Sequence, residues 1–182
     1  MIRVTSGTAK NTILKTPDIP NFRAVQDVMK QSIFGTLADR VSEARCLDLY
    51  SGSGSMGIEV LSRGADWCDF VDESRKARDV IMENIKKCRF EEHSEVFVHD
   101  VIKFVANSSD KYDIIFADPF YENISHKFLV KNLEEVLNKN GVVVFLHGEN
   151  LNVGELITGT KFTIETERRF GKSIFTILGL SK

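Results

Sequence analysis

Three glycines and one acid are spaced as a nucleoside-binding turn requires. Gly52, Gly54 and Gly57 follow the apolar run of residues 46–49. Asp72 ends a second apolar run about twenty residues later, which is the spacing of the dinucleotide-binding fingerprint. Glycine adopts backbone angles that residues with a Cβ avoid, so such a turn brings bare backbone against a ligand. The order of strand, turn, helix, strand and acid therefore predicts a site for a nucleoside cofactor.

A second group of chemically suited residues follows the apolar run of residues 112–117 and consists of Asp118, Pro119, Phe120 and Tyr121. It resembles the Asp/Asn-Pro-Pro-aromatic signature of methyltransferases that modify exocyclic amino groups of bases. The Asp118 carboxylate and the Pro119 carbonyl would accept the N–H groups of such an amine, which makes its nitrogen a better nucleophile. Tyr121 would stack on the extruded base. Transfer from the sulfonium of S-adenosylmethionine (SAM) needs positioning, without a metal or a covalent intermediate.

The elements that must position these residues begin with a short N-terminal piece. Residues 2–6 and 12–15 flank Gly7 and could pair as a hairpin. Apolar residues then recur at helical spacing, which predicts an amphipathic helix over residues 23–38 with Arg23 in its first turn. This piece is an addition to the nucleoside-binding fold.

From residue 46 onward, strand and helix patterns alternate, which predicts a parallel sheet covered by helices on both faces. We expect strands at residues 46–49, 67–71, 96–98, 112–117 and 142–146, and helices at residues 77–88, 101–105 and 125–138. Asn140 and Gly141 would close the last helix. Residues 162–165 and 174–178 are joined too closely for a crossover helix, so they predict a final antiparallel hairpin.

Composition narrows the class of protein. A chain of 182 residues with 42% hydrophobic and 27% charged residues suits one globular domain. Cys46, Cys68 and Cys88 are odd in number and lack metal spacing, so we expect buried thiols, a cytoplasmic location and no metal. No apolar run reaches membrane-spanning length. The net charge of −2 argues against a protein that coats nucleic acid, although bases outnumber acids seven to four over residues 1–45, where a basic face should begin.

The resemblance becomes specific over residues 47–54 (Leu-Asp-Leu-Tyr-Ser-Gly-Ser-Gly) and 57–65, which resemble the cofactor region of the RsmD family. These are bacterial SAM-dependent methyltransferases of guanine N2 in small-subunit (16S) ribosomal RNA. Residues 22–34 are similar to the family's Arg-Pro-Thr-led helix, and residues 169–172 resemble its terminal Tyr-Gly turn. The resemblance covers nearly the whole chain. It implies a Rossmann-like methyltransferase fold of the α/β class, with a mostly parallel seven-stranded sheet.

The same resemblance implies a role for each matched residue. In this scheme Asp48, Tyr50, Gly52 and Gly54 surround the methionine part of SAM, Asp72 binds the ribose hydroxyls, and Asp100 with Val101 receives the adenine. Catalysis would fall to Asp118, Pro119, Phe120 and Tyr121, which hold the target guanine. Asp72 and Asp100 have an alternative interpretation as ordinary acids at helix N-termini.

The resemblance also implies an RNA partner within a small ribosomal subunit or its precursor, and hence a role in ribosome biogenesis. Residues 1–43 would be an RNA-contacting extension and residues 44–182 the SAM-binding catalytic core of a single domain, which we expect to be a monomer. The predicted RNA-binding residues are Arg3, Lys10, Arg23, Arg169 and Lys172. The sequence departs from the family's motifs at three places. Phe120 replaces the second proline, Ala24 and Val25 replace the Pro-Thr of the helix, and residues 7–11 only partly match the family's Gly-Lys-x-Lys-Gly stretch.

Three other functions remain open. An N6-adenine methyltransferase of DNA or RNA would use the same two acceptors, Asp118 and Pro119. A SAM-binding ribosome assembly factor with impaired catalysis would explain Phe120 and the reduced basic stretch. A dehydrogenase would explain the glycines and Asp72, but it leaves residues 118–121 and the final hairpin without a role.

Overall fold

The computed structural model describes residues 2–20, 22–119 and 126–181, which form two β-sheets and the helices that pack on the larger sheet. The strands are β1 (Ile2–Arg3), β2 (Ile13–Leu14), β3 (Arg45–Leu49), β4 (Trp67–Asp72), β5 (Ser94–Val98), β6 (Tyr112–Ala117), β7 (Leu137–Gly148), β8 (Phe162–Phe170) and β9 (Ser173–Leu180). The α-helices are α1 (Asp27–Leu37), α2 (Ser55–Ser62), α3 (Arg75–Cys88), α4 (Val101–Asn107), α5 (His126–Val136) and α6 (Val153–Leu156). Short 3-10 turns cover Ala38–Val41 and Glu91–His93.

The larger sheet has seven strands in the order β5-β4-β3-β6-β7-β9-β8. Strands β3 to β7 are parallel to one another, whereas β9 is antiparallel to both β7 and β8. This confirms the predicted α/β class and the Rossmann-like, mostly parallel sheet that ends in an antiparallel hairpin. The strand order changes direction between β3 and β6, and ligands of such sheets bind beyond the carboxyl ends of the strands at that point.

The central strands are buried on both faces because helices cover both sides of the sheet. One apolar cluster joins the sheet to α1, α2 and α3, and the other joins it to α4, α5 and α6. Strands buried in this way read as continuous apolar runs, which is why residues 112–117 and 142–146 could be recognised from the sequence. Cys46, Cys68 and Cys88 are buried free thiols, as predicted. None of the helices in the described ranges has the length and apolar character needed to cross a bilayer.

The N-terminal piece forms the predicted hairpin, with Ile2 paired to Leu14 in a separate two-stranded sheet. Its turn packs on the end of α2, where Thr8 N–H donates to the Ser62 carbonyl at 2.8 Å. The segment after the hairpin is held by the buried Asn84 of α3, whose side chain binds both the N–H and the carbonyl of Lys15. The Asn84 amide also donates to the Ser53 carbonyl in the glycine turn, so the N-terminal piece and this turn share one anchor.

Two predicted element boundaries were wrong. Helix α1 begins at Asp27, so Arg23 lies before the helix and not in its first turn, and Gln26 at the N-cap has extended backbone angles (φ −66°, ψ 147°). Helix α5 ends at Val136 because Leu137 is already buried in the sheet and pairs with Tyr112. Asn140 and Gly141 therefore lie within β7 and do not close the helix. Ser125, the expected first residue of that helix, lies outside the described residues.

The expected basic face over residues 1–45 also needs a correction. Lys30 has 0% of its surface exposed and lies 3.5 Å from the Glu59 carboxylate, whose side chain is equally buried. Its ammonium group also donates to the Arg3 carbonyl and, at 3.3 Å, to Ser55 Oγ. A buried ammonium needs such partners because it has lost its hydration. Lys30 therefore contributes to the interior of the domain and not to its surface charge.

Candidate active site

A cleft of about 1010 Å³ opens at the carboxyl ends of β3, β4 and β6, next to the point where the strand order reverses. Four of the predicted site acids line it, namely Asp48, Asp72, Asp100 and Asp118. Tyr50, Gly52, Val101, Pro119 and Arg23 line it as well. The volume is at the upper end of the range for small-molecule sites in proteins. The structure therefore brings most of the predicted cofactor residues and part of the predicted catalytic group into one cavity.

The turn between β3 and α2 has an unusual backbone. Tyr50, Gly52 and Gly54 all have positive φ, at 57°, 55° and 75°. Such angles are strained for a residue with a Cβ like Tyr50, and residues of this kind concentrate at functional sites. Gly54 itself does not line the cleft. It stands just before α2, where an added Cβ would lie 3.3 Å from Ile81 and Phe70, so it serves the packing of the turn.

Two carboxylates hold this turn by accepting backbone N–H groups. Gly52 N–H donates to Asp72 Oδ2 at 2.9 Å, and Gly57 N–H donates to Asp48 Oδ2 at 2.9 Å. Asp72 also accepts from Ser74 N–H at the start of α3, and Asp100 accepts from Lys103 N–H as the N-cap of α4. Asp100 thus caps a helix, as the alternative interpretation expected, whereas the N-cap of α3 is Ser74 and Asp72 lies two residues before it. Each carboxylate has further acceptor positions for a ligand in the cleft.

Burial makes the central acids of the cleft reluctant to ionise. Desolvation raises the pKa of Asp48 well above its usual range, against the opposing effect of the Gly57 N–H, and the charges of Asp118 and Asp72 raise it further. The pKa of Asp118 rises to about 7 through burial. On the neighbouring wall, burial raises the pKa of Tyr50 to about 12, with added effects from Asp100 and Glu73. A positively charged ligand in the cleft would favour the ionised form of these acids and would oppose the rise in their pKa.

One part of the cleft lining is apolar and was not predicted as part of the site. It consists of Ile19, Phe22, Val25 and Met29, from the segment before α1 and its first turn. The apolar spacing in this region predicts the stripe of a helix that starts at Arg23, but residues 22–26 are not helical. The two prolines, Pro17 and Pro20, were the available signal that the chain stays extended here.

The predicted RNA-binding residues come from three parts of the chain: the N-terminal hairpin, the segment before α1 and the β8–β9 hairpin. Arg23 lines the cleft, whereas Arg3, Lys10, Arg169 and Lys172 lie exposed elsewhere. Arg3 is paired with Asp27 at 2.9 Å, and Arg169 is paired with Glu149 and donates to the Gly171 carbonyl at 2.8 Å. Phe120 and Tyr121 lie outside the described residues, so the aromatic part of the predicted catalytic group has no structural description.

The residues of the cleft fit SAM. Bare glycine at Gly52 leaves room that a Cβ would fill, since an added Cβ would lie 2.8 Å from the Phe22 ring. The acids Asp72 and Asp100 offer acceptors for ribose hydroxyls and an amine, and Val101 and Ile102 offer apolar surface for a base. The positive charge of a sulfonium suits a cavity lined by five carboxyl groups and one arginine.

Comparison with known proteins places these features in a family. The family model Cons_hypoth95, described as "Conserved hypothetical protein 95", matches residues 2–179. The chain is 33% identical over 171 residues to the protein YlbH of Bacillus subtilis. The aligned region covers 89% of this chain and 93% of that protein. It is 27% identical over 140 residues to ribosomal RNA small subunit methyltransferase D of Escherichia coli K12, with coverage of 77% and 68%. The solved structure of yhhF from Escherichia coli has the same fold, with a TM-score of 0.86 and 20% identity over 99% of this chain and 98% of that one.

Proposed function

Because the chain belongs to the RsmD family, whose model is described as conserved hypothetical protein 95, we propose that it is a SAM-dependent ribosomal RNA methyltransferase acting on guanine N2 of the small subunit. The relative in Escherichia coli is named as a methyltransferase of small-subunit ribosomal RNA. The observation that carries the proposal for this chain is the common location of Asp118 and the glycine turn. Ala117 pairs with Leu49 in the sheet, so the Asp118 carboxyl and the Tyr50–Gly52 backbone leave adjacent strands side by side.

Binding of the cofactor is assigned to the acids and the backbone of the cleft. Asp72 receives the ribose hydroxyls, and the bonds it accepts from Gly52 and Ser74 fix the orientation of its carboxylate. Asp100 and Val101 hold the adenine at the start of α4. Asp48, Tyr50 and Gly52 surround the methionine part, and Gly54 shapes the turn. When bound, SAM supplies a methyl group on a positively charged sulfur.

Asp118 acts on the acceptor amine. Its ionised carboxylate accepts an N–H of the guanine amino group, and the Pro119 carbonyl accepts the other, so that the nitrogen lone pair becomes available. A carboxyl group with a pKa of about 7 is also suited to take the proton that the nitrogen must release after transfer. Phe120 and Tyr121 follow directly in sequence and are proposed to stack on the flipped base.

The RNA is proposed to lie across the surface that carries Arg3, Lys10, Arg23, Arg169 and Lys172. Only Arg23 faces the cofactor cleft, so the others would contact the phosphate backbone at a distance from the reacting base. In this proposal, residues 1–43 form the RNA-contacting extension and residues 44–182 form the catalytic core. A partly assembled small subunit in the cytoplasm, bound by a monomer of the enzyme, fits the weak net charge because ribosomal proteins can supply part of the contacts.

Transfer of labelled methyl from SAM to three substrates tests this function. Small subunits from a strain lacking the gene, naked ribosomal RNA and duplex DNA would be compared, followed by mass analysis of the nucleosides. N2-methylguanosine in the subunits is the expected product. N6-methyladenine would instead assign the chain to adenine methylation, and binding of SAM without transfer to any substrate would support an assembly factor.

A further inference from the structure

The ring of Phe22 lies against Gly52 of the glycine turn, and both residues line the cleft. An ideal Cβ on Gly52 would lie 2.8 Å from Phe22 Cε2 and 3.4 Å from Phe22 Cδ2, so the ring is in van der Waals contact with the bare glycine. Phe22 is half-buried, packs against the apolar cluster beneath α1, and lines the cavity together with Ile19 and Val25. Its other ring atoms therefore border the space in which a cofactor would lie.

The position of the sulfonium relative to this ring follows from the chemistry of SAM and from one hydrogen bond. Asp72, which is proposed to hold the ribose, accepts the N–H of the same Gly52 that Phe22 covers. The sulfur of SAM is bonded to the ribose carbon next to the ring, so a ribose on Asp72 brings the sulfur close to Gly52. The charged sulfur and the aromatic ring then share one side of the glycine turn.

We propose that Phe22 is a cofactor-binding residue that recognises the positive charge of the SAM sulfonium through its aromatic face. This inference rests on the proposed use of SAM and deepens it. An aromatic ring attracts a cation placed over its face, and exchange of such contacts changes affinity by about two- to thirtyfold. The product S-adenosylhomocysteine (SAH) carries a neutral sulfur, so the ring favours the substrate form of the cofactor over the product form. Phe22 thereby contributes to the release of SAH after transfer.

Substitution of Phe22 by leucine separates charge recognition from simple packing. Leucine keeps an apolar side chain over Gly52 but has no aromatic face, so Phe22→Leu should weaken SAM binding about three- to tenfold while SAH binding stays nearly unchanged. Dissociation constants for SAM and SAH would be measured by calorimetry on the whole chain. Val25→Ala is the matched control, because Val25 lines the same wall without a π face and its loss should affect SAM and SAH equally.

The outcomes distinguish this inference from the function on which it rests. A SAM-selective loss in Phe22→Leu, absent from Val25→Ala, supports charge recognition by the ring. Equal weakening of SAM and SAH, or no weakening, overturns the role of Phe22 but leaves a SAM-binding protein. Failure of the unsubstituted protein to bind SAM at all would overturn the proposed function itself. Thermal unfolding of both variants checks that any loss of binding occurs in folded protein.

Discussion

The carboxyl group of Asp118 lies where the buried strand β6 meets the cleft, and its pKa of about 7 follows from burial. This value places the group between two chemical states near neutral pH. As a neutral acid it presents a hydrogen to the target amine, whereas as a carboxylate it accepts one. In the proposed mechanism, the protonation state of this one side chain would decide whether the acceptor nitrogen is activated.

Methyl transfer should consequently increase with pH. The pKa of Asp118 in the folded chain is raised from 3.8, so the reactive carboxylate is scarce below pH 6 and dominant above pH 8. We expect kcat/KM for transfer to rise through a limb with its midpoint near pH 7, because this ratio reports ionisation of the free enzyme. Asp118→Asn should remove the limb. If the rise of kcat/KM near pH 7 persists in Asp118→Asn, a different titrating group causes it.

Removal of the side chain should abolish most transfer without abolishing cofactor binding. Asp118→Ala eliminates the acceptor for the amine hydrogen and the group that receives the proton, for which we expect a loss in kcat of at least about a hundredfold. The dissociation constant for SAM should stay close to that of the unsubstituted protein. Asp110→Ala is a suitable control, because Asp110 is an exposed acid near the start of the same strand and lies outside the cleft. Full activity in Asp118→Ala would remove this residue from the mechanism.

At the scale of the elements, the fit between the N-terminal hairpin and α2 depends on one glycine. Gly7 has a φ of +82°, and a Cβ there would lie 1.6 Å from the Ser62 carbonyl oxygen, which is backbone and cannot rotate away. Gly7→Ala should therefore lower the free energy of unfolding by about 2–4 kcal/mol, through backbone strain and loss of the contacts between hairpin and helix. Denaturant titration measures this change.

Gly35→Ala is the matched control for this substitution. Gly35 lies within α1, is exposed, and has no atom within 4 Å of an added Cβ. Alanine is favoured over glycine inside a helix, so Gly35→Ala should raise stability by about 0.5–1 kcal/mol. An unfolding free energy of Gly7→Ala that equals or exceeds that of the unsubstituted protein would show that the hairpin turn tolerates a side chain.

The ion pair of Lys30 and Glu59 joins three elements at one buried point. Lys30 belongs to α1, Glu59 to α2, and Glu59 accepts hydrogen bonds from Thr5 N–H at 2.8 Å and Ser6 N–H at 3.1 Å after β1. Lys30→Met leaves the Glu59 carboxylate with fewer partners, although Arg63 Nε still donates to it at 2.9 Å. We expect Lys30→Met to lower the unfolding free energy by about 2–4 kcal/mol. The double variant with Glu59→Gln should lose less than the sum of the losses in the two single variants. Strict additivity would show that the two side chains do not interact.

Sequence periodicity predicted the sheet and its central turn well because their determinants are local. Short stretches of sequence define the end of β3, the glycine turn after it and the end of β4 at Asp72. The start of α1 was not predictable in the same way. Phe22 and Val25 are apolar because they pack beside the cleft, but their spacing resembles the stripe of a helix. The burial of Lys30 depends on Glu59 and Ser55 from another helix, and no pattern within α1 indicates it.

For the whole molecule, the cofactor should act as a stabilising ligand because its proposed site joins several elements. Residues from β3, β4, β7, β9, α4 and the segment before α1 line the same cleft, so a ligand bound there opposes the unfolding of all of them. SAM at a hundred times its dissociation constant adds about 2.7 kcal/mol. For a chain of this length we expect the melting temperature to rise by about 5–10 °C.

Differential scanning fluorimetry with SAM and with NAD measures this effect and separates two cofactor classes. NAD should leave the melting temperature unchanged. A rise with NAD and none with SAM would favour the dehydrogenase interpretation of the glycine turn.

Strand β9 follows β8 along the chain, yet it lies inside the sheet between β7 and β8. During translation β8 is therefore made before β9, the one strand with which it pairs among the described residues. Until β9 has emerged from the ribosome, the edge of β7 stays open and β8 has no place in the sheet. An open edge of this kind is a template for pairing with other chains, so the nascent protein is most prone to aggregate just before its last strand is complete.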